Sequence, residues 1–367
     1  MKLSLAELQV VISSYVAEAK LSSATFSVTR DNTVGLLDKI AKTITLDSNF
    51  SDKLPEFDGE DLPLGKTLEE WQADLILPED YDPTGANNMA PHNPTYRPAF
   101  YSYTLGEKSI PTTIRNNDIE RAVGSSEELI RIVDMKTKRL YDSEASFKYG
   151  VKREMLAKWV AMCETAQDVS TSFSASGDYA VGTYLKGGSN AYIVVKAYVH
   201  GTCANYGEAV TEGYLIKLEL VEELAVPADT ATGEAFVGKI KEDVEKASDI
   251  SEGHSLNGNT LGAVEGLMLI VKQGVMPVIE SQVEAGAFNL GKIAIPAEVR
   301  VIKDFGSNAT GVYAMLIDKR ACRLHNTYRA VREDRNGKGD FLNLYLHTEN
   351  TGFISRNAFV KVFKIPE

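Results

Sequence analysis

Apolar positions recur at helical steps over one long stretch of the chain. Leu129, Val133, Leu140, Phe147, Val151, Met155 and Met162 keep to one face of a 3.6-residue helix, with Ile132 and Trp159 beside the stripe. Ser125, followed three residues later by Glu128, has the capping-box pattern of a helix start, and no proline interrupts the forty or so residues that follow. On the polar faces Glu127/Arg131, Asp134/Lys138, Glu144/Lys148 and Glu154/Lys158 each set an acid four residues before a base, the favourable order for a helix pair. The spacing predicts a rod of ~60 Å. Gly150 is its weak point, costing about 1 kcal/mol against alanine and marking a candidate bend. The stripe is too irregular for a heptad seam, so the rod is expected to pack on its own chain rather than to serve as a coiled-coil arm.

Elsewhere the patterns are shorter. Residues 3–19 (Leu5, Leu8, Ile12, Val16, Ala19) and 32–44 (Val34, Leu37, Ile40, Ile44) predict two small amphipathic helices, an arm that docks elsewhere. Between Ser48 and Arg97 acids dominate, and seven of the twelve prolines fall between Pro55 and Pro98, which excludes a helical core. Within that region Thr67–Leu77 alternates as a strand, with Phe100–Leu105 and Ser109–Ile114 as its expected returning partners in a two-stranded β-arm. Its tip would lie around Gly85–Pro94. A ribbon of this kind is marginal alone in water and makes sense if another subunit completes it. After the rod, Tyr179–Leu185, Ala191–Val199 and Gly213–Leu220 predict strands, with Gly187-Gly188 as a turn. A helix over Thr232–Ala247 follows, buried through Phe236, Ile240, Val244 and Ala247, then a buried strand at Leu267–Val271. A helix is expected over Val275–Ala285, and further strands at Val299–Ile302, Gly311–Ile317, Phe341–His347 and Ala358–Phe363. Arg335-Asn-Gly-Lys-Gly339 predicts a turn with positive φ at Asn-Gly. From Tyr179 to Ile317 this alternation describes a compact α/β domain, and the fold class expected of the whole chain is α+β.

Composition narrows the function more by exclusion than by signal. The chain has 367 residues, 44% of them hydrophobic, enough for roughly two ordinary domains. Its net charge of −12, without a lysine/arginine block, argues against an electrostatic grip on nucleic acid as the main activity. Three widely spaced cysteines, Cys163, Cys203 and Cys322, make no disulfide framework and suit a reducing compartment. Neither a signal-peptide pattern nor an apolar run long enough to cross a membrane is present in the sequence.

Candidate chemistry is thin. Gly65-Lys66-Thr67 imitates a phosphate loop, but five residues separate Gly59 from Gly65 where that loop has four, and no buried strand precedes it. His200/Cys203 and Cys322/His325 have ligand-like spacing, and a zinc site would need the two pairs to meet in space. Glu79, Asp80 and Asp82 near His92 lie in the proline-rich region, where a solvated loop is the simpler expectation. No Gly-x-Ser-x-Gly elbow occurs. No catalytic, cofactor-binding or metal-binding residue is therefore assigned, and an enzyme is not expected.

Three strings carry a resemblance: Leu64 to Leu75 (LGKTLEEWQADL), Val312 to Lys319 (VYAMLIDK), and Asn343 to His347 with Phe353 to Phe359 (NLYLH, FISRNAF). With the order of elements, they resemble the major capsid proteins of tailed bacteriophages, the Hong Kong 97-type fold, closest to those of small short-tailed phages (podoviruses). The resemblance implies an N-arm (1–50), an extended β-hairpin E-loop (51–118), a P-domain spine helix (119–169), P-domain strands or an insertion (170–231), an A-domain (232–318) and remaining P-domain strands (319–367). It implies a structural shell subunit, assembled in the bacterial host cytoplasm into the icosahedral or prolate capsid of the virion. Homo-oligomeric pentamers and hexamers, a separate scaffolding protein, a portal protein at one vertex and packaged dsDNA held without sequence-specific binding come with it; no cofactor and no membrane do. Candidate assembly residues are Gly65 and Trp71 in the E-loop, Lys108, Gly150 and Trp159, with the Gly59–Gly65 segment and Gly150 as joints. For the lysine–asparagine crosslink of some relatives, Lys108 with Asn343, Asn350 or Asn357 are the loose analogues, and ladders on a denaturing gel would reveal it. An encapsulin-like compartment, in which residues 3–19 would bind cargo, and a metal-dependent enzyme are the alternatives.

Overall fold

The structure is a computed structural model and describes residues 50–62, 68–73, 96–101, 103–115, 126–261, 266–280 and 295–366. In chain order, a 3-10 turn at Pro55–Phe57 precedes β1 (Leu68–Ala73), β2 (Tyr96–Tyr101), β3 (Tyr103–Arg115) and the helix α1 (Ser126–Gln167). Then come β4 (Tyr184–Gly187), β5 (Asn190–Val194), α2 (Tyr206–Thr211), β6 (Leu215–Lys217), β7 (Val221–Glu223), α3 (Thr230–Ser248), β8 (Ile250–Ser255), β9 (Gly258–Leu261) and β10 (Leu267–Lys272). A helical turn at Met276–Val278 leads to β11 (Glu298–Ile302), β12 (Val312–Asp318), β13 (Cys322–Asn336), β14 (Phe341–Ile354) and β15 (Val360–Lys364). The expected N-terminal helices, the phosphate-loop imitation with Gly65, the acidic cluster with His92 and the capping Ser125 lie outside the described residues.

The rod forms as one unbroken helix of 42 residues, about 63 Å long. Its C-terminal half is the core element. Met155, Leu156, Trp159, Val160, Cys163 and Ala166 are buried against one face of a five-stranded sheet of order β11-β10-β12-β15-β7. Alternation sorts the sheet's side chains between two layers. Met268, Ile270, Met315, Ile317, Val360 and Val362 face α1. Leu269, Val271, Tyr313, Leu316 and Phe363 meet Phe236, Ile240 and Val244 of α3 on the other side. A sheet covered on both faces needs near-continuous apolar strands, which is why β10 and β12 read as LMLIV and VYAMLI. Asp229 caps α3 in a reciprocal box with Thr232.

Two expectations are corrected. Ser109–Ile114 does not return to the arm strand: among the described residues β1 pairs only with β2, while β3 runs antiparallel to β14, which also pairs β13, in a separate three-stranded sheet. Alternation identifies a strand without naming its partner. The strand expected over Ala358–Phe363 forms as β15, beside β12 in the five-stranded sheet. In the 335–340 turn the positive φ falls on Asp340 (φ 50) instead of on Asn-Gly. The loop spans four residues between Asn336 and Phe341, so the two-residue mirror-image turn is not needed. Asn336 Oδ1 instead accepts the amides of Lys338 and Gly339 at 3.1 and 2.8 Å.

Residues 170–217 form a small satellite with its own core. Strands β4-β5-β6 make its sheet, and Leu185, Tyr192, Val194, Tyr198 and Leu215 its buried cluster. The strands are shorter than the expected segments, and Tyr179 and Tyr198 meet in an isolated bridge.

Beside α3 lies a charged network. Asp243 is fully buried and neither carboxylate oxygen has a hydrogen-bond partner among the described residues, while Lys239 Nζ stands 3.9 Å away. Lys361, also buried, reaches Glu222 at 2.9 Å and the Glu219 carbonyl at 3.1 Å. Burial pushes the Asp243 carboxyl up to about 6, against the pull of Lys361 and Lys239. Burial, helped by the Lys361 charge, takes His254 down to about 4. The signs oppose. Asp243 binds its proton more tightly folded than unfolded, so its contribution is full below ~pH 4 and is lost as pH rises through 6. His254 binds its proton less tightly folded, so its contribution is full above ~pH 6.5 and is lost as pH falls through 4. Asp243→Asn is expected to stabilise the chain by about 2 kcal/mol at pH 7.5 and to leave the histidine slope bare, with Tm rising from pH 4.5 to 6.5. Thermal melts across that range test it, and an unchanged pH profile would refute the assignment.

Candidate assembly site

Residues 50–62 precede the β1–β2 ribbon in the chain, and charge and close packing hold them on the body. Leu54 and Phe57 are buried in the main core, and Phe50 sets its ring 5.8 Å from that of Tyr149 on α1. Lys152 of α1 is fully buried beneath them. Its ammonium donates to Asp52 Oδ2 (2.5 Å) and the Leu54 carbonyl (2.8 Å) and pairs with Asp58 Oδ1 (2.8 Å), so its three hydrogens have three acceptors. A buried ammonium survives only when so matched. On the other side Arg300 of β11 binds Glu56, whose carbonyl takes a bond from Arg323 of β13. Burial raises the Glu56 carboxyl, but the Arg300 hydrogen bond and charge outweigh it and hold the group below the usual range.

The segment then runs along β13. Gly59 N–H donates to the Leu324 carbonyl (2.9 Å), Leu62 N–H to that of Asn326 (2.8 Å), and Asn326 Nδ2 to Asp61 (2.8 Å). A side chain at position 59 would meet the His325 ring at 2.5 Å, so glycine is required there by close approach. Gly59 is thus held as far as Leu62 and is no free joint; Gly65 lies outside the described residues. Beyond the clamp stand β1 and β2, a two-stranded ribbon that pairs with no other strand among the described residues. Trp71 on β1 is 62% exposed.

The other predicted assembly residues part company. Gly150 sits within α1 in open space, where a Cβ would touch nothing within 4 Å, so packing does not demand glycine there. Trp159 is completely buried, which corrects its assignment as a contact residue: it serves the fold. Lys108 is exposed in β3 opposite Thr348, in the three-stranded sheet and not in the ribbon. Of its crosslink analogues, Asn350 is buried, and Asn343 accepts from Thr113 at 2.8 Å. Glu144–Lys148 forms as the spacing predicts (2.8 Å), and Glu144 also takes Arg329 of β13 (2.7 Å), tying the rod to the sheet. Glu154 accepts from the Ser307 amide (3.3 Å). His200 pairs with Asp178 at 2.9 Å, and the ring of His325 lies 2.8 Å from the Glu60 carbonyl. Cys203 and Cys322 are each buried in their own surroundings. Lys152 was invisible to the sequence pattern, since a lysine in a helix reads as a wet position.

A long helix across one face of a buried sheet, a separate long-stranded sheet at its other end and a ribbon standing off the body make this a Hong Kong 97-type phage capsid fold. A chain in the capsid structure of Staphylococcus phage Andhra superposes with a TM-score of 0.60 at 10% identity, covering 90% of this chain and 88% of that one. One from the capsid of cyanophage P-SCSP1u gives 0.51 at 9% identity, covering 94% and 100%. The chain belongs to the Phi29-like phage major capsid protein family, whose profile matches residues 12–363. It is 22% identical over 351 residues to the major capsid protein of Bacillus phage PZA, covering 92% of this chain. The chain spans 64% of that relative's length.

Proposed function

We propose that the chain is a head-shell subunit that assembles as pentamers and hexamers into a closed capsid around phage dsDNA, with a structural and not a catalytic role. The observation that carries this beyond family membership is the β1–β2 ribbon. It follows the charge-locked residues 50–62, belongs to no larger sheet among the described residues and carries an exposed tryptophan. Exposed strand edges are a liability in a lone protein and an asset where a neighbouring copy covers them. Trp71 is the aromatic anchor such a contact favours. Modest contacts suffice, because each subunit makes many and closure multiplies them. A scaffolding protein guides curvature, a portal occupies one vertex, and the acidic chain lets DNA slide without sequence-specific binding. Gly150, unconstrained by packing, is the place where the spine adjusts between five- and six-fold positions.

Sedimentation of the chain co-expressed with its scaffolding protein tests this. Most protein is expected in shell-sized particles, and Trp71→Ala is expected to cut that fraction about ten-fold or more with circular dichroism unchanged. Wild-type chain that stays at subunit size would overturn the proposal.

A further inference from the structure

We infer that Glu70 and Ser355 form a latch that fixes the roll of the β1–β2 ribbon, so that its Trp71 face points away from the subunit. Ser355 is the fixed half. It is buried in the turn between β14 and β15, and its amide donates to the Ala321 carbonyl at 2.7 Å. Its hydroxyl oxygen accepts two amides, Asn357 N–H at 3.1 Å and Ala358 N–H at 3.0 Å. With both lone pairs taken, the hydroxyl hydrogen is left to point outward, and there it meets Glu70 Oε1 at 2.5 Å. The donor is therefore aimed before the ribbon arrives, and the bond is the strong, charge-assisted kind.

Glu70 is the half carried by the ribbon. Among the described residues the ribbon's strands pair only with each other, Glu70 opposite Ala99 and Trp71 opposite Pro98, so the ladders of the body stop at its base, where Tyr103 of β3 pairs with Gly352 of β14. Successive side chains on a strand point to opposite faces. Glu70 turned down on Ser355 therefore means Trp71 turned out, which is how its 62% exposure arises. The latch is poised rather than locked. Glu70 Oε2 is buried with no hydrogen-bond partner among the described residues, so the carboxylate has surrendered water on two oxygens for one bond, and part of the gain is cancelled. A contact so balanced sets orientation in the free subunit and yields when larger contacts form. Only the identity of those contacts, a neighbouring copy, rests on the shell proposal; the latch itself does not.

Hydrogen–deuterium exchange on the unassembled full-length chain tests the latch apart from assembly. Glu70→Ala is expected to speed exchange of the β1 and β2 amides about ten-fold, with β13–β14 amides unchanged as the internal control. Ser355→Ala is expected to do the same and the double variant no more, because one bond is lost in every case. Glu70→Gln, which keeps an acceptor for the Ser355 hydroxyl, is expected to restore most of the protection. Ribbon exchange unchanged in Glu70→Ala, or effects of the two substitutions that add, would overturn the latch. Should Ser355→Ala disturb its own turn, Glu70→Ala and Glu70→Gln on the ribbon decide alone. Failure of the shell proposal would show in sedimentation and leave these exchange rates untouched.

Discussion

Trp159→Ala is expected to destabilise the subunit by about 3–5 kcal/mol, the largest effect of any single truncation considered. Trp159 is completely buried at the centre of the main core, on the α1 face that covers the five-stranded sheet. Removing the indole leaves a cavity between a rigid helix and a sheet held on both sides, and neither can collapse into it. Its Nε1 has no hydrogen-bond partner among the described residues, so the indole nitrogen contributes nothing that phenylalanine would lose. Trp159→Phe is therefore expected to cost only about 1–2 kcal/mol. Denaturant midpoints for both variants check the pair. Equal losses for phenylalanine and alanine would show that a polar contact, and not volume, is what the site requires.

Lys152→Met is expected to cost about 2–3 kcal/mol and to loosen residues 50–62. The substitution keeps length and apolar bulk but leaves Asp52 and Asp58 facing the core without their cation. Breaking a wholly buried pair costs about 3–5 kcal/mol. The smaller figure applies because Asp58 is half-exposed and water can take over part of its solvation. Asp52→Asn on the Lys152→Met background is expected to recover part of the loss, since it removes one stranded charge. Limited proteolysis reads the local effect: cleavage within 50–62 is expected to rise while that of the β13–β14 hairpin stays level. A variant as stable and as protected as the wild type would show that the clamp is held by Leu54 and Phe57 alone.

How much of this the sequence carried depends on the range over which each signal acts. The rod was legible because 42 residues of helix give many periods of one apolar stripe and no proline. Strands β10 and β12 were legible because burial on both faces leaves an uninterrupted apolar run. The six-residue α2 and the β8–β9 hairpin were not expected, and each is too short for a periodic signal. Pairing was the poorest: nothing in Ser109–Ile114 says that its neighbour lies some 230 residues later in β14. At the candidate site, Trp71 came with the resemblance of its E-loop string, and the structure leaves it exposed. Lys152, Glu70 and Ser355 were missed for one reason. Each is an ordinary polar residue whose role comes from a partner far away in sequence, Asp52 and Asp58 for the lysine and one another for the other two.

The central claim is that this subunit builds a shell by laying its β1–β2 ribbon across a neighbour while residues 50–62 stay fixed. Cryo-electron microscopy of particles formed with the scaffolding protein measures that directly. The expected map is a closed shell in which residues 50–62 keep their clamp on α1 and β13 while the ribbon of each subunit covers the next, Trp71 within the contact. A map in which the ribbon lies wholly on its own subunit, or the absence of closed particles, would contradict it.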